Sequence, residues 1–140
     1  MFTSIVALSL SGLAIGAGPL RMPLDDGMRR ESVTAEYLPT PAGVAAARFA
    51  WSTVTAEGLT NANGGPPYTD TAPSGLQLVA IISGDGRAIH AVHRPGIDAN
   101  HICVVRAAFN GAGPAAYRAK RWCAARFGID LPEVRPPVIR

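Results

Sequence analysis

Most of the short motifs that mark enzymes and nucleic-acid-binding proteins are missing from this sequence. It has no glycine-rich loop followed by lysine to hold a phosphate, no Gly-x-Ser-x-Gly turn for a nucleophilic serine, and no pair of carboxylates at a catalytic spacing. It also has no DNA- or RNA-reading motif, which argues against nucleic acid as a partner. Because these motifs are absent, we assign no catalytic residue, and a binding or accessory role is favoured over an enzymatic one.

Charged residues are few, at 16% of the 140 positions, whereas 48% are hydrophobic. This composition argues against a disordered chain and is sufficient for one hydrophobic core, while 15 Gly and 12 Pro predict long irregular connections. Nine of the 13 basic residues fall between Arg87 and Arg140, against three acidic ones. A basic carboxyl-terminal part permits a protein partner or an anionic envelope surface, without identifying either.

Histidine is also scarce, and the three that are present do not make a metal site. Zinc needs three or four ligands that converge on one point. Alternation along a strand places His90 and His93 on opposite faces, so only His93 and His101 could face each other. We therefore predict no metal and no cofactor, and we interpret the histidines as surface or strand-edge residues.

The amino terminus contains an apolar run from Phe2 to Leu20. Its length, and the small residues at its end, are typical of a secretory signal peptide, so we interpret residues 1–20 as a signal for export to the periplasm or the medium. No Lys or Arg precedes the run. A retained membrane anchor through residues 2–20 and a buried structural segment remain alternatives.

Residues 21–42 are mixed and punctuated by proline, which indicates a linker or an arm over the surface. Residues 43–140 are interpreted as a single α+β domain. It contains a long polar loop at 58–75, in which Tyr68 is the candidate binding residue because it can make an aromatic contact. Residues 41–55 permit two interpretations. Thr40 as a cap and an alanine cluster favour a helix, but alternation favours a strand, which we predict.

The strongest local pattern is a hairpin, in which two apolar runs flank Ser83-Gly84-Asp85-Gly86. A third strand follows at 101–109, with Cys103 and Val105 on one face and Arg106 on the other. A helix is then predicted from Pro114 to Phe127, ended by Gly128. The predicted fold is α+β: a small antiparallel sheet of about four strands, arranged as a meander, with one C-terminal helix packed on one face.

The two cysteines are predicted to form a disulfide. Cys103 lies on the inner face of the third strand, and Cys123 shares a helix stripe with Ala116, Ala119 and Phe127. A short connection folds that stripe back over the strand. In an oxidising compartment the pair is then expected to link helix and sheet. On the outward side of the same helix, Arg118 and Arg121 are candidate binding residues.

One enzymatic alternative depends on His101 and Cys103, which share a strand face. The segment Asn100–Arg106, "NHICVVR", resembles the Ser-His-Gly-Cys-Val-Arg motif of the L,D-transpeptidases, which are exported cell-wall enzymes. Ile102 stands in place of the glycine, and Val105 separates the arginine from its usual place. The resemblance implies a Cys-His nucleophile only if the Cys103 thiol is free.

The sequence therefore predicts a small exported envelope protein that acts as a binding or accessory module. A second hypothesis is a structural subunit of a larger or membrane-associated assembly, which would dock through the apolar amino terminus and the Pro-rich tail. A cell-wall enzyme with a Cys-His pair is the third. No specific partner is predicted.

Overall fold

The computed structural model describes residues 18–133, which form an α+β fold around one antiparallel sheet of six strands. The strands follow the order β1-β2-β6-β5-β4-β3 across the sheet. In chain order, the elements are β1 (Leu20–Arg21), α1 (Asp26–Arg30), β2 (Val33–Pro39), α2 (Ala46–Thr55), β3 (Tyr68–Thr71), β4 (Gln77–Ile82), β5 (Ala88–Arg94), β6 (Asp98–Ala107) and α3 (Pro114–Arg126).

The predicted fold class is confirmed in its coarse features, an α+β fold with a C-terminal helix, but the sheet has six strands rather than about four. The meander β3-β4-β5-β6 is extended by β2 and β1 beyond β6. The hairpin between β4 and β5 turns where it was expected. There the Ser83 amide donates to the Arg87 carbonyl at 2.8 Å, and Gly86 has a φ of +91°.

Two strands arise from segments that were expected to be irregular. Residues 21–42, predicted to be a linker, contain β2, which pairs with β6 from Val33 to Pro39. The predicted loop 58–75 contains β3, which pairs with β4. All four residues of β3 are exposed, so this strand lacks the hydrophobic alternation by which a strand is recognised.

The prediction of a strand over residues 41–55 is wrong, because α2 occupies most of this segment. Its buried residues are Ala46, Ala50 and Val54, spaced four apart as on one face of a helix. Small residues dominate the segment and fit both the period of a strand and the period of a helix, so alternation alone did not distinguish a strand from a helix. The alanine cluster, which favours a helix by propensity, was the correct signal.

The C-terminal helix α3 begins at Pro114, as predicted, and ends at Arg126, one residue before the predicted end. Gly128 follows with a φ of +78°. The Gly128 amide donates to the Ala125 carbonyl, and the Ile129 amide donates to the Ala124 carbonyl, which is the Schellman ending. From the sheet, Arg94 also donates to the Phe127 carbonyl at 2.8 Å. The end of α3 is therefore fixed to β5.

The sheet has helices on both faces, so the fold has three layers. On one face, α1 and α3 cover a core that includes Val33, Cys103, Val105, Ala116 and Phe127. On the other face, α2 covers a second core, whose members are Ala46, Ala50, Val54, Val79, Ile81, Ile89, Ala91, Ile102 and Val104. The predicted fold had a helix on one face only. The misassigned α2 accounts for the missing layer.

The two cysteines join α3 to the centre of the sheet. The sulfur atoms of Cys103 on β6 and Cys123 on α3 are 2.03 Å apart, and the Cα atoms are 5.5 Å apart. Both residues are buried. The stripe predicted on α3 faces the sheet, since Ala116, Ala119 and Phe127 are buried with Cys123. The sequence prediction of a cysteine pair within bonding distance agrees with this structure.

Between residues 18 and 133, no helix has both the length and the apolar character needed to cross a membrane. The predicted signal peptide or anchor, residues 1–20, lies almost wholly outside the described residues. Most of the Pro-rich tail, from residue 134 onward, lies outside them as well.

The buried turn between β6 and α3 provides a first test of this fold. A Cβ atom at Gly111 would lie 2.4 Å from the Ala88 Cβ and 3.2 Å from the Gly86 carbonyl oxygen. Gly111→Ala is therefore expected to lower the free energy of unfolding by about 1–3 kcal/mol through overpacking, measured by urea denaturation. Gly84→Ala is the control, because its nearest neighbour is the Ala62 Cβ at 3.9 Å. Equal stability of the two variants would contradict this packing of the turn.

Candidate binding groove

The three candidate binding residues predicted from sequence are not brought together. Tyr68 lies on β3 at one edge of the sheet and is exposed. Arg118 lies on α3 and pairs with Asp25, 3.2 Å away, beside α1. Arg121 donates to the Leu131 carbonyl at 3.2 Å. Both arginines therefore hold neighbouring segments of the chain in place, and they do not form a common surface with Tyr68.

The Cys-His alternative lacks a free thiol in this structure. The Cys103 sulfur is bonded to Cys123, and neither cysteine is free. His101 interacts instead with Asp98, whose carboxylate lies 3.0 Å from the His101 Nδ1 atom. The His101 ring also stacks on Tyr37, with centroids 4.4 Å apart and planes inclined by 6°.

Tyr37, Asp98 and His101 form a polar cluster at the end of β6, in which the Tyr37 hydroxyl donates to the Asp98 carboxylate. Burial opposes ionisation of Asp98, but hydrogen bonds from Tyr37, the Asn100 amide and His101 outweigh it and lower the pKa of this carboxyl. Burial and the same carboxylate raise the pKa of Tyr37. Within the cluster, the Tyr37 hydroxyl and the His101 Nδ1 atom are both satisfied by the Asp98 carboxylate. The cleft of about 530 Å³ that His101 borders contains no charged lining residue.

A more enclosed groove lies between α2 and the sheet. It consists of two cavities of about 210 and 270 Å³ that share the lining residues Ala47, Gln77 and His93. Strand pairing explains the position of the polar side chains. Gln77 lies opposite both Thr71 and His93, and paired residues direct their side chains to the same face of a sheet. Because α2 covers that face, these groups line the groove.

His93 is placed by an irregularity in the sheet. The register between β5 and β6 shifts between Val92 and Arg94, so His93 sits at a β-bulge. Bulges bend a strand and redirect a side chain, and they are frequent beside functional sites. The bulged residue here is one of the three that line both cavities.

The electrostatic state of His93 follows from its burial. Its relative exposure is 6%, and its Nδ1 atom is buried without a hydrogen-bond partner in the described part of the chain. Desolvation lowers the pKa of His93, so the imidazole is neutral at pH 7. A neutral imidazole carries one N–H donor and one acceptor. His93 therefore lines the groove and has a hydrogen-bonding group, just beneath the groove wall, that the fold does not satisfy.

A second buried histidine lies outside the groove, on the face covered by α3. Both ring nitrogens of His90 are buried without a partner among residues 18–133. Desolvation, together with the positive charge of Lys120, lowers the pKa of His90 to about 4. Burial in turn lowers the pKa of Lys120. The expectation that the histidines lie at the surface or a strand edge is wrong for His90 and His93.

Sequence reasoning found the opposite orientation of His90 and His93 but not the groove. The groove requires α2 as one wall, and that segment was assigned to a strand. A bulge at His93 depends on the pairing of two strands, which no local pattern specifies. Among the described residues, no group of three or more His, Cys, Asp or Glu side chains could hold a metal ion.

The comparisons with known proteins give no relative from which a function could be transferred. The chain matches no family model, and no curated protein or solved structure is significantly similar to it.

Proposed function

We propose that this protein is a small exported binding protein of the cell envelope, periplasmic or secreted, and that the groove between α2 and the sheet is its binding site. The bond between Cys103 and Cys123 supports the compartment, since disulfides persist in oxidising environments and are rare in reducing ones. The apolar run at residues 2–20 supports export.

The observation that carries the binding role is the unpartnered His93 in the wall of the groove. Leaving a buried polar atom without a hydrogen bond costs about 1–3 kcal/mol. The Nδ1 atom is closed to solvent in this structure, so a ligand group that bonds to it after a small displacement of the cavity wall would recover part of this free energy. Over the two cavities together, the remaining lining is mainly apolar, including Ala46, Ala50 and Val79. Apolar walls with a few polar groups are the usual composition of a small-molecule site.

A small neutral probe with an apolar ring and one hydroxyl, 2-phenylethanol, tests the groove. We expect it to bind with a Kd of about 1 mM or weaker, as its size allows. NMR titration should shift the indole N–H signal of Trp51, which borders the groove and is 45% exposed. Trp122 lies on α3, which packs on the other face of the sheet, so its indole signal is an internal reference.

Two leucine variants on α2 provide the matched controls. Ala47→Leu fills the groove from an exposed position without removing a core side chain, and should abolish the shift at Trp51. Ser52→Leu adds a side chain to the same helix at an exposed position that does not line the groove, and should bind like the wild type. Unchanged binding by Ala47→Leu, or no shift at Trp51 in the wild type, would refute the proposal.

A further inference from the structure

Three uncharged polar side chains form a row across the sheet side of the groove. Thr71, Gln77 and His93 lie on β3, β4 and β5, and Gln77 is the pairing partner of both of the others. Paired residues share a face of the sheet, so all three side chains of this polar row point toward α2. Among residues 18–133 these side chains make no hydrogen bond, and of their polar atoms only the His93 Nδ1 is closed to solvent. The polar row therefore has donors and acceptors that remain free for a ligand.

The lining of the groove directs no charged side chain into it. Within the described residues, Asp70 is the only charged member of the lining. It pairs with Leu78, which packs against the core under α3, so the Asp70 carboxylate points to the opposite face of the sheet. Burial lowers the pKa of His93, so this imidazole is neutral at pH 7. An ionic ligand group would lose hydration here without gaining an opposite charge, and an uncharged ligand is therefore favoured.

Trp51 provides an apolar wall beside the polar row. It lies one turn after Ala47 on α2, and both residues are exposed on the same side of the helix. Trp51 borders the same cavity as the polar row. The indole ring is a flat apolar surface, which suits a ligand ring whose C–H groups point to one face. A sugar ring has such a face, and its hydroxyl groups project from its edge, where they can reach the polar row.

The second cavity of the groove is suited to a short carbon chain. It shares Gln77 and His93 with the first cavity, and its other lining residues carry no polar side chain: Ala45, Ala46, Ala47, Pro95, Gly96 and Ala99. The carboxamide and the neutral imidazole at the junction each have a donor and an acceptor. An amide group in a ligand matches them, because it also has one N–H donor and one carbonyl acceptor. The acyl carbons of that amide then enter the apolar cavity.

We propose that the groove binds a neutral sugar that carries an N-acyl group, an N-acetylhexosamine in its simplest form. One face of the sugar ring lies on Trp51, and a ring hydroxyl bonds to Thr71. The amide lies at Gln77 and His93, and the acyl carbons lie in the second cavity. This inference rests on the proposed binding function and specifies its ligand class.

Three methyl glycosides that differ only in the group on C2 test this assignment on the full chain. They are methyl N-acetyl-β-D-glucosaminide, methyl β-D-glucopyranoside, and methyl β-D-glucosaminide at a pH where its amine is protonated. We expect the acetamido sugar to bind at least about threefold more tightly than the glucoside, as followed by the Trp51 indole signal, and the ammonium sugar to bind more weakly than the acetamido sugar. Added salt should not change the affinity of the acetamido sugar, since no ion pair holds it.

Single substitutions in the polar row separate its members. Gln77→Leu has no carboxamide, so it should bind the acetamido sugar and the glucoside equally. Thr71→Val removes a hydroxyl at nearly constant shape and should weaken binding of both about threefold. Thr34→Val makes the same change at an exposed position of β2 that lines neither cavity, and should bind like the wild type. An unchanged Trp122 indole signal in each free variant reports that it is folded.

Two results would overturn the ligand class. One is equal binding of the three glycosides, or a preference for the ammonium sugar, and the other is an undiminished preference for the acetamido sugar in Gln77→Leu. If 2-phenylethanol still shifts the Trp51 signal, the binding groove stands without the sugar. No shift at Trp51 with either the glycosides or 2-phenylethanol would overturn both proposals.

Discussion

Reduction of the Cys103–Cys123 disulfide is expected to lower the free energy of unfolding by about 3 kcal/mol. The bond closes a loop across 20 positions, and the chain-entropy model gives about this value for a loop of that length. For a domain whose total stability is about 5–15 kcal/mol, this is a large share. The measurement is urea denaturation of the wild type with and without reductant, at constant pH.

The double variant Cys103→Ala/Cys123→Ala is the control for the reductant itself. Its denaturation midpoint should not respond to reductant, because it has no bond to break. It should also be less stable than the oxidised wild type, by at least the effect of reduction, since two buried sulfur atoms are removed as well. Coincident denaturation curves for oxidised and reduced wild type would contradict the structural role of the bond.

The second large effect is a loss of stability in acid that depends on His90. Its pKa is about 4 in the folded protein and about 6.5 in the unfolded chain, so the unfolded chain binds the proton more tightly. The stability is therefore complete above pH 6.5 and is lost as the pH falls toward 4. From these two values, His90 alone accounts for about 3 kcal/mol between pH 7 and pH 4.

His90→Leu tests this assignment, because leucine cannot take up a proton and leaves no unpaired nitrogen under α3. The free energy of unfolding, measured by urea denaturation at pH 7, 5.5 and 4, should fall much less in the variant than in the wild type. A smaller decrease should remain, because burial also lowers the pKa of His93. If both proteins lost the same free energy over this range, His90 would not be the responsible group.

The sequence predicted best those elements whose signals are local. The hairpin depends on a short turn of defined chemistry, and the end of α3 depends on Gly128 and the residues next to it. The proximity of the two cysteines was predicted from the side-chain periodicity of one strand and one helix. Each of these features required only the residues within about 20 positions of one another.

The features that sequence reasoning missed depend on contacts between distant segments. β2 is stabilised by its pairing with β6, about 70 positions away, and its own composition did not distinguish it from a linker. α2 was misassigned because small residues such as Ala46 and Ala50 fit the period of a strand as well as that of a helix. The groove then could not be predicted, because it requires α2, a bulge in β5 and the edge strand β3 together.

The short outermost strands have a consequence for contacts between copies of the protein. Within the described residues, the sheet ends in the two residues of β1 on one side and the four residues of β3 on the other. An unpaired strand recruits a neighbouring chain through its free amide and carbonyl groups, and the attraction grows with its length. Strands this short, one of which carries Asp70, limit edge-to-edge aggregation when the protein is concentrated.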